Sequence, residues 1–348
     1  MRIRWIAALT AAVVAMTGCG GDGDSADERT AAEPSYYLSL GDSLTVGVQP
    51  DENGRPETTA DGYTDVLYRN LYDADSTLDH ERMGCGGEDT TSFIEGGPAH
   101  CDEQYDGASQ LEAAEEFLAE NAGRVDLVTL TIGGNNFTGC VGDMENASGP
   151  SLDTACVEDG LERVDTEIPV IASRLRAAAG PDTQIIAMTY YNPFLAALLL
   201  EDGGTDGEEA EDAESSDGPE DAREDGDAEG ADGSGEADDA EGADGSGEAD
   251  DAEAGEPDLV EYATGVLEEM NESLRSSYAA QDIEVADVEA TFDSTNFDVP
   301  ADSDTGMPAN VQSVCDLTWM CNTDRGPDIH TNRAGAQEIA ATFEDLVQ

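Results

Sequence analysis

Apolar positions along the chain switch repeatedly between two periods. Short runs of β-branched and aliphatic residues read as strands at Ser35–Leu40, Val125–Ile132, Gln184–Tyr190 and Ile283–Val288. Between them the spacing turns helical. Tyr63, Val66, Leu67 and Leu71 mark one face over Asp61–Tyr72. Ser109 and Glu112 form a capping box that opens a helix carrying Leu111, Ala114, Phe117 and Leu118, and Gly123 stands where a C-cap glycine belongs. Further helices are expected over 161–179, with a break or new start at Pro169, over Leu259–Ala279 and over Asn332–Val347. Residues 84–108 are glycine-rich and read as irregular. Strands alternating with helices predict a parallel sheet covered by helices on both sides.

Two segments fall outside this pattern. Residues 201–257 are acidic and low in complexity, and Asp227–Asp238 repeats as Asp239–Asp250. No apolar residue recurs within the repeat to build a stacked core, so a disordered insert is expected rather than a calcium-binding solenoid. At the other end, Arg2 and Arg4 precede the apolar run Ile6–Met16, which is too short to span a bilayer comfortably. Met16-Thr17-Gly18-Cys19 follows, similar to a lipobox with Met16 in place of the usual Leu; an ordinary secretory signal is the other reading. The expected organisation is a leader over 1–18, a flexible tether over 19–34 and one domain over 35–348 that the insert interrupts.

Composition narrows the partners. The chain has 348 residues and a net charge of −66, with 80 acids against 14 bases, and no lysine. Residues 201–258 hold 27 of the acids and one Arg, so the remainder is strongly acidic as well. Such a surface repels nucleic acid and anionic headgroups, leaving membrane association only through a lipid on Cys19. It also suits high salt, where screening relieves self-repulsion. Setting Cys19 aside leaves six cysteines. In an exported chain these suggest three disulfides, and nearest-neighbour pairing is the simplest: Cys85–Cys101, Cys140–Cys156 and Cys315–Cys321. With three histidines and no CxxC pair, a metal site is not expected.

Four short stretches carry chemistry. Gly41-Asp42-Ser43-Leu44 ends the first strand, at the carboxyl edge where open parallel sheets build sites. Gly84-Cys85-Gly86-Gly87, Gly133-Gly134-Asn135-Asn136 and Asp328-Ile329-His330 follow in order. Together they resemble the SGNH, or GDSL, hydrolases, whose blocks contribute Ser, Gly, Asn and His. Ser43, Gly87 (with Gly86 a close competitor), Asn135 and His330 take those places, and Tyr190–Phe194 and Thr318–Cys321 are similar to a secreted actinobacterial lipase-like branch with three loop disulfides. The resemblance implies a flavodoxin-like three-layer α/β/α sandwich with about five parallel strands. It implies ester hydrolysis through an acyl-serine, without cofactor, by a monomer. Ser43 would be the nucleophile, His330 base and then acid, and the Ser43 and Gly87 amides with Asn135 the oxyanion donors. Deacetylation of a carbohydrate and a noncatalytic binding module on the same scaffold are the alternatives.

Two positions depart from the family pattern. Asn136 stands where an Asp is usual, and the acid usually three residues before the histidine is Pro327. Three options follow: Asp328 orients the ring, the Pro327 carbonyl does so in a Ser-His dyad, or the more remote Asp324 takes the role. The other candidates have plainer readings. Asp42 braces its turn, His80 and His100 are surface or loop residues, and Trp319 and Met320 pack a disulfide loop. Phe194–Leu200 starts a helix or forms a lip of the acyl site.

Overall fold

A computed structural model of the chain describes residues 34–140, 152–192, 259–301, 303 and 305–348. The leader, Cys19, nearly all of the tether, the Phe194–Leu200 run and the acidic insert lie outside the described residues. Five strands form one wholly parallel sheet: β1 (Ser35–Gly41), β4 (Leu78–Arg82), β5 (Val125–Thr131), β6 (Gln184–Met188) and β7 (Glu284–Ala286). Their order across it is β4-β1-β5-β6-β7. Successive strands are therefore added first to one side of β1 and then to the other, which makes the crevice between β1 and β5 a topological switch point. A separate two-stranded ribbon, β2 (Val48–Pro50) and β3 (Pro56–Thr58), follows β1.

Helices cover both faces. On one, α1 (Tyr63–Ala74) packs against the closing helix α9 (Arg333–Glu344), where the rings of Tyr63 and Phe343 stack at 4.9 Å. On the other, α4 (Gln110–Glu120), α5 (Thr154–Ala179) and α6 (Leu259–Ala279) lie side by side. Right-handed crossovers from β1 through α1 and from β4 through α4 place those helices on opposite faces. Short helices α2 (Thr90–Glu95), α3 (Ala99–Gln104), α7 (Val288–Thr291) and α8 (Ala309–Leu317) complete the described elements. The core runs through the sheet: Tyr37, Leu38, Leu40, Val128, Leu130, Ile185 and Ile186 are all buried. This is the three-layer α/β/α sandwich expected from the pattern.

Several local expectations are corrected. Pro169 neither breaks nor restarts its helix: α5 runs unbroken for 26 residues through it. A proline inside a helix costs about 3 kcal/mol, but Ile168, Ile171 and Leu175 around it are fully buried, and each such side chain contributes about 1.5–3 kcal/mol. The helix also begins earlier than expected, where Asp153 caps it by accepting from the Cys156 N–H at 3.1 Å. The glycine-rich stretch 84–108 contains two short helices. His80 is not a surface histidine. It sits on β4, stacks on Tyr37 at 4.4 Å and meets Ser39 Oγ at 2.9 Å through Nε2. Burial, with a smaller push from Arg82, lowers its pKa from 6.5 to about 3. The native ring thus lacks a proton that the unfolded chain binds below pH 6.5, so stability from this residue is lost as pH falls toward 3.

Three disulfides tie loops and helix ends: Cys85–Cys101, Cys140–Cys156 and Cys315–Cys321. They fit an oxidising, exported setting. No helix among the described residues is long and apolar enough to cross a membrane.

Candidate active site

β1 delivers Ser43 to the switch point through a tightly held turn. Gly41 takes φ +126°, outside the range of ordinary residues. Its N–H donates to Gln110 Oε1 at 2.6 Å, and its carbonyl accepts from Gln110 Nε2 at 3.0 Å and from the Cys85 N–H at 2.9 Å. Asp42 is 2 % exposed. Its Oδ1 accepts from the Leu44 N–H and Thr131 Oγ1, each at 3.0 Å, and its Oδ2 accepts from Tyr190 OH at 2.6 Å. Burial raises its pKa against these bonds. Asp42 therefore braces the turn, as expected from its position, while Ser43 beyond it is only partly buried.

The C-terminal segment supplies the imidazole. Asn332 caps α9 through the N–H groups of Ala334 and Gly335, and its Nδ2 donates to the carbonyls of Asp316 and Thr318. The Trp319 N–H donates to the His330 carbonyl at 3.0 Å, and Tyr191 OH donates to the Ile329 carbonyl at 2.8 Å. So pinned, His330 places Nε2 2.8 Å from Ser43 Oγ, 287 residues away in sequence. Its Nδ1 lies 2.7 Å from Asp328 Oδ1. The same oxygen accepts the His330 main-chain N–H at 2.8 Å. This local turn folds a carboxylate only two residues upstream back onto its own ring. Of the three options for the acid, the geometry brings Asp328 to the ring; Pro327 and Asp324 are exposed. Burial opposes ionisation of Asp328, but hydrogen bonds and attraction from His330 outweigh it and leave its pKa lowered.

The remaining motif residues converge on the same edge. Gly86 lies beside Ser43, such that a Cβ there would sit 3.9 Å from Ser43 Cβ. Gly87 takes φ +87° with open space around it. Asn135 sits in a single 3-10 turn (Gly134–Phe137) after β5, and its Nδ2 donates to the Glu88 carbonyl at 2.9 Å. That nitrogen carries two protons, so one bond fixes the amide and the second proton stays available. Asn136, in the usual Asp position, is a strut: its Oδ1 accepts the Thr90 N–H at 3.0 Å, and its Nδ2 donates to Thr90 Oγ1 at 2.7 Å. Cys85, His100 and Cys101 bring metal-ligand atoms within 4.8 Å of one another, but both sulfurs are spent in the disulfide.

Sequence reasoning missed Gln110, Thr90, Arg163 and Glu167. Gln110 was visible only as the residue after an N-cap, and nothing marks its pairing with Gly41. It also passed over Glu88, which is 1 % exposed and whose Oε2 meets no hydrogen-bond donor among the described residues. Burial, then the charges of Asp89, Asp102 and Asp42, raise its pKa from 4.5 to about 8. Between those two values the native carboxyl holds a proton that the unfolded chain has released. Stability from Glu88 is therefore full below pH 4.5 and is lost as pH rises to 8. Glu88→Gln should flatten the fall in Tm between about pH 5 and pH 8, leaving the variant the more stable protein at the upper end. Thermal melts at both ends check this.

Residues 39–216 match the model of the GDSL-like lipase/acylhydrolase family. The chain belongs to that family. The match contains Ser43, Gly87 and Asn135, whereas His330 lies beyond it and joins the site through the fold. The hydrolase resembles several solved structures loosely. One is an extracellular lipase from Streptomyces rimosus, with 14 % identity and a TM-score of 0.45, covering 89 % of this chain and 99 % of that one. Another is phospholipase A1 from Streptomyces albidoflavus, with 15 % identity and a TM-score of 0.44, covering 90 % and 99 %. A third is an acetylxylan esterase from Geobacillus stearothermophilus, with 13 % identity and a TM-score of 0.41, covering 89 % and 93 %. No curated protein matches the chain. The family makes the protein a serine hydrolase of carboxylic esters.

Proposed function

We propose that Ser43 attacks the ester carbonyl while His330 takes its proton, and that Asp328 holds the ring in the tautomer this requires. The observation that carries the reading is the unbroken relay from Ser43 Oγ through His330 to Asp328, at 2.8 and 2.7 Å. With Nδ1–H donating to Asp328, Nε2 is left to accept from Ser43. The attack forms a tetrahedral oxyanion, which accepts from the N–H groups of Ser43 and Gly87 and from Asn135 Nδ2. His330 returns its proton to the leaving alcohol, leaving an acyl-serine. Water, deprotonated by the same ring, then releases the acid.

An alkyl fluorophosphonate tests this directly. Ser43 Oγ should displace fluoride, and peptide mass spectrometry should place the adduct on Ser43 alone. An unlabelled Ser43 in enzyme that still hydrolyses a chromogenic aryl ester would refute the assignment. Comparing acetyl with long acyl esters separates a carbohydrate deacetylase from a lipase.

The reading extends to the cell surface. The segment 1–18 serves as a leader, Cys19 receives the lipid, and 19–34 tethers the monomeric domain 35–348, which the acidic, low-complexity segment 201–257 interrupts. The acid-rich, lysine-free composition and the three disulfides support export to a salty exterior.

A further inference from the structure

The proposed oxyanion donors stand on two separate loops, one after β4 and one after β5, and their mutual placement has to be held by something. Three direct bonds join the loops, one from Asn135 to the Glu88 carbonyl and two between Asn136 and Thr90. A further tie comes from outside both. Arg163, on α5, donates through Nη1 to Asp89 Oδ2 at 2.8 Å and through Nη2 to the Asn136 carbonyl at 2.7 Å. Its Nε donates to Asp159 Oδ2 at 3.2 Å, one turn back along the same helix. Asp89 is two residues past Gly87, and its Oδ1 caps α2 by accepting the Ser92 N–H at 2.7 Å. Asn136 directly follows Asn135. One planar guanidinium thus grips a side chain of one donor loop and the backbone of the other. One turn further along α5, Glu167 accepts from the hydroxyls of Thr90 and Thr91.

We infer that Arg163 is a positioning residue that sets the spacing between the Gly87 and Asn135 oxyanion donors. The inference rests on the proposed function of those donors. Arg163 is only partly exposed, at 26 %, as is Asp89 at 28 %, so the pair is held in place rather than waving in solvent. The fork geometry matters: a lysine ammonium is a point charge and cannot present two parallel N–H groups to a carboxylate and a carbonyl at once. A shift of about 1 Å at a reacting centre costs about 100-fold in rate. Donors that meet only the oxyanion act on kcat and not on ground-state binding.

The test compares four variants with wild type on a chromogenic acetyl ester. Arg163→Met should lower kcat about 10- to 100-fold, with KM within about three-fold and the pH dependence of kcat/KM unshifted, because the His330–Asp328 pair is untouched. Arg163→Lys should recover only part of the loss. Arg174→Met is the control: it removes another charge pair of α5, to Glu115 on α4, and should lower Tm while leaving kcat unchanged. An Arg163→Met enzyme with wild-type kcat, or one whose loss lies in KM or equals that of Arg174→Met, overturns the inference. If Arg163→Met fails to fold, Arg163→Lys decides: a loss in kcat alone supports the inference, and full wild-type kcat overturns it. Ser43→Ala separates the two levels. An active Ser43→Ala enzyme sinks the underlying function, whereas an inactive one beside a fully active Arg163→Met sinks only the positioning role.

Discussion

Ser43→Ala should reduce kcat for ester hydrolysis by about 10⁶-fold, the scale on which serine hydrolases lose turnover when the nucleophile is deleted. The fold should tolerate the change. Ser43 is partly buried, and its side chain bonds only to the His330 ring among the described residues. Far-ultraviolet circular dichroism and Tm should therefore match wild type while turnover disappears. Asp328→Asn should give a smaller, more informative loss of about 10⁴-fold, because an amide can present its N–H to the ring and hold the wrong tautomer. It also removes the carboxylate that would stabilise the imidazolium formed when Ser43 gives up its proton. Near-normal turnover in Asp328→Asn would mean that a main-chain carbonyl orients the ring and that the relay is a dyad. Steady-state kinetics on purified, folded variants distinguish these outcomes.

The readable parts of the molecule were those written in local pattern. Val125–Ile132 and Gln184–Tyr190 announce buried strands because covered parallel strands are apolar on both faces. The capping box at Ser109 announces α4 because both halves of its reciprocal bonds lie within four residues, and both bonds are present. β4 reads Leu-Asp-His-Glu-Arg and announces nothing, since an edge strand needs few apolar residues to pair with β1. Pro169 misled for a related reason: its local cost was visible, but the burial that offsets it came from neighbouring elements. The site divides the same way. Ser43, Gly87, Asn135 and His330 stand in recognisable blocks, whereas Gln110, Thr90, Arg163 and Glu167 act across dozens of residues. Asp328 falls between the two: its spacing of two residues from His330 departs from the family pattern, and the turn that folds its carboxylate back onto the ring is visible only in the folded chain.

Gly41→Ala should do more damage to the fold than any other single methyl at this edge of the sheet. A Cβ at position 41 would lie 1.9 Å from the Thr131 carbonyl oxygen and 2.7 Å from both the Thr131 carbonyl carbon and Oγ1. Nothing there can yield cheaply. The Thr131 carbonyl accepts the Asp42 N–H at 3.0 Å, its hydroxyl bonds Asp42 and Thr45, and Gly41 itself is clamped by Gln110 on both its polar groups. Relief would require prising β1 from β5 at the centre of the sheet, at a residue whose φ of +126° already excludes alanine. The expected cost exceeds about 4 kcal/mol, a large part of the 5–15 kcal/mol that holds a typical domain together. For a domain of this size that corresponds to a fall in Tm of more than about 10 °C, if folded protein is recovered at all. Calorimetry on Gly41→Ala beside Ser43→Ala would show the contrast: one variant unstable, the other stable but inert. A Gly41→Ala protein melting within a few degrees of wild type would mean that β1 and β5 do not approach each other as closely as the structure places them. The serine would then have to be held at the sheet edge by something other than this contact.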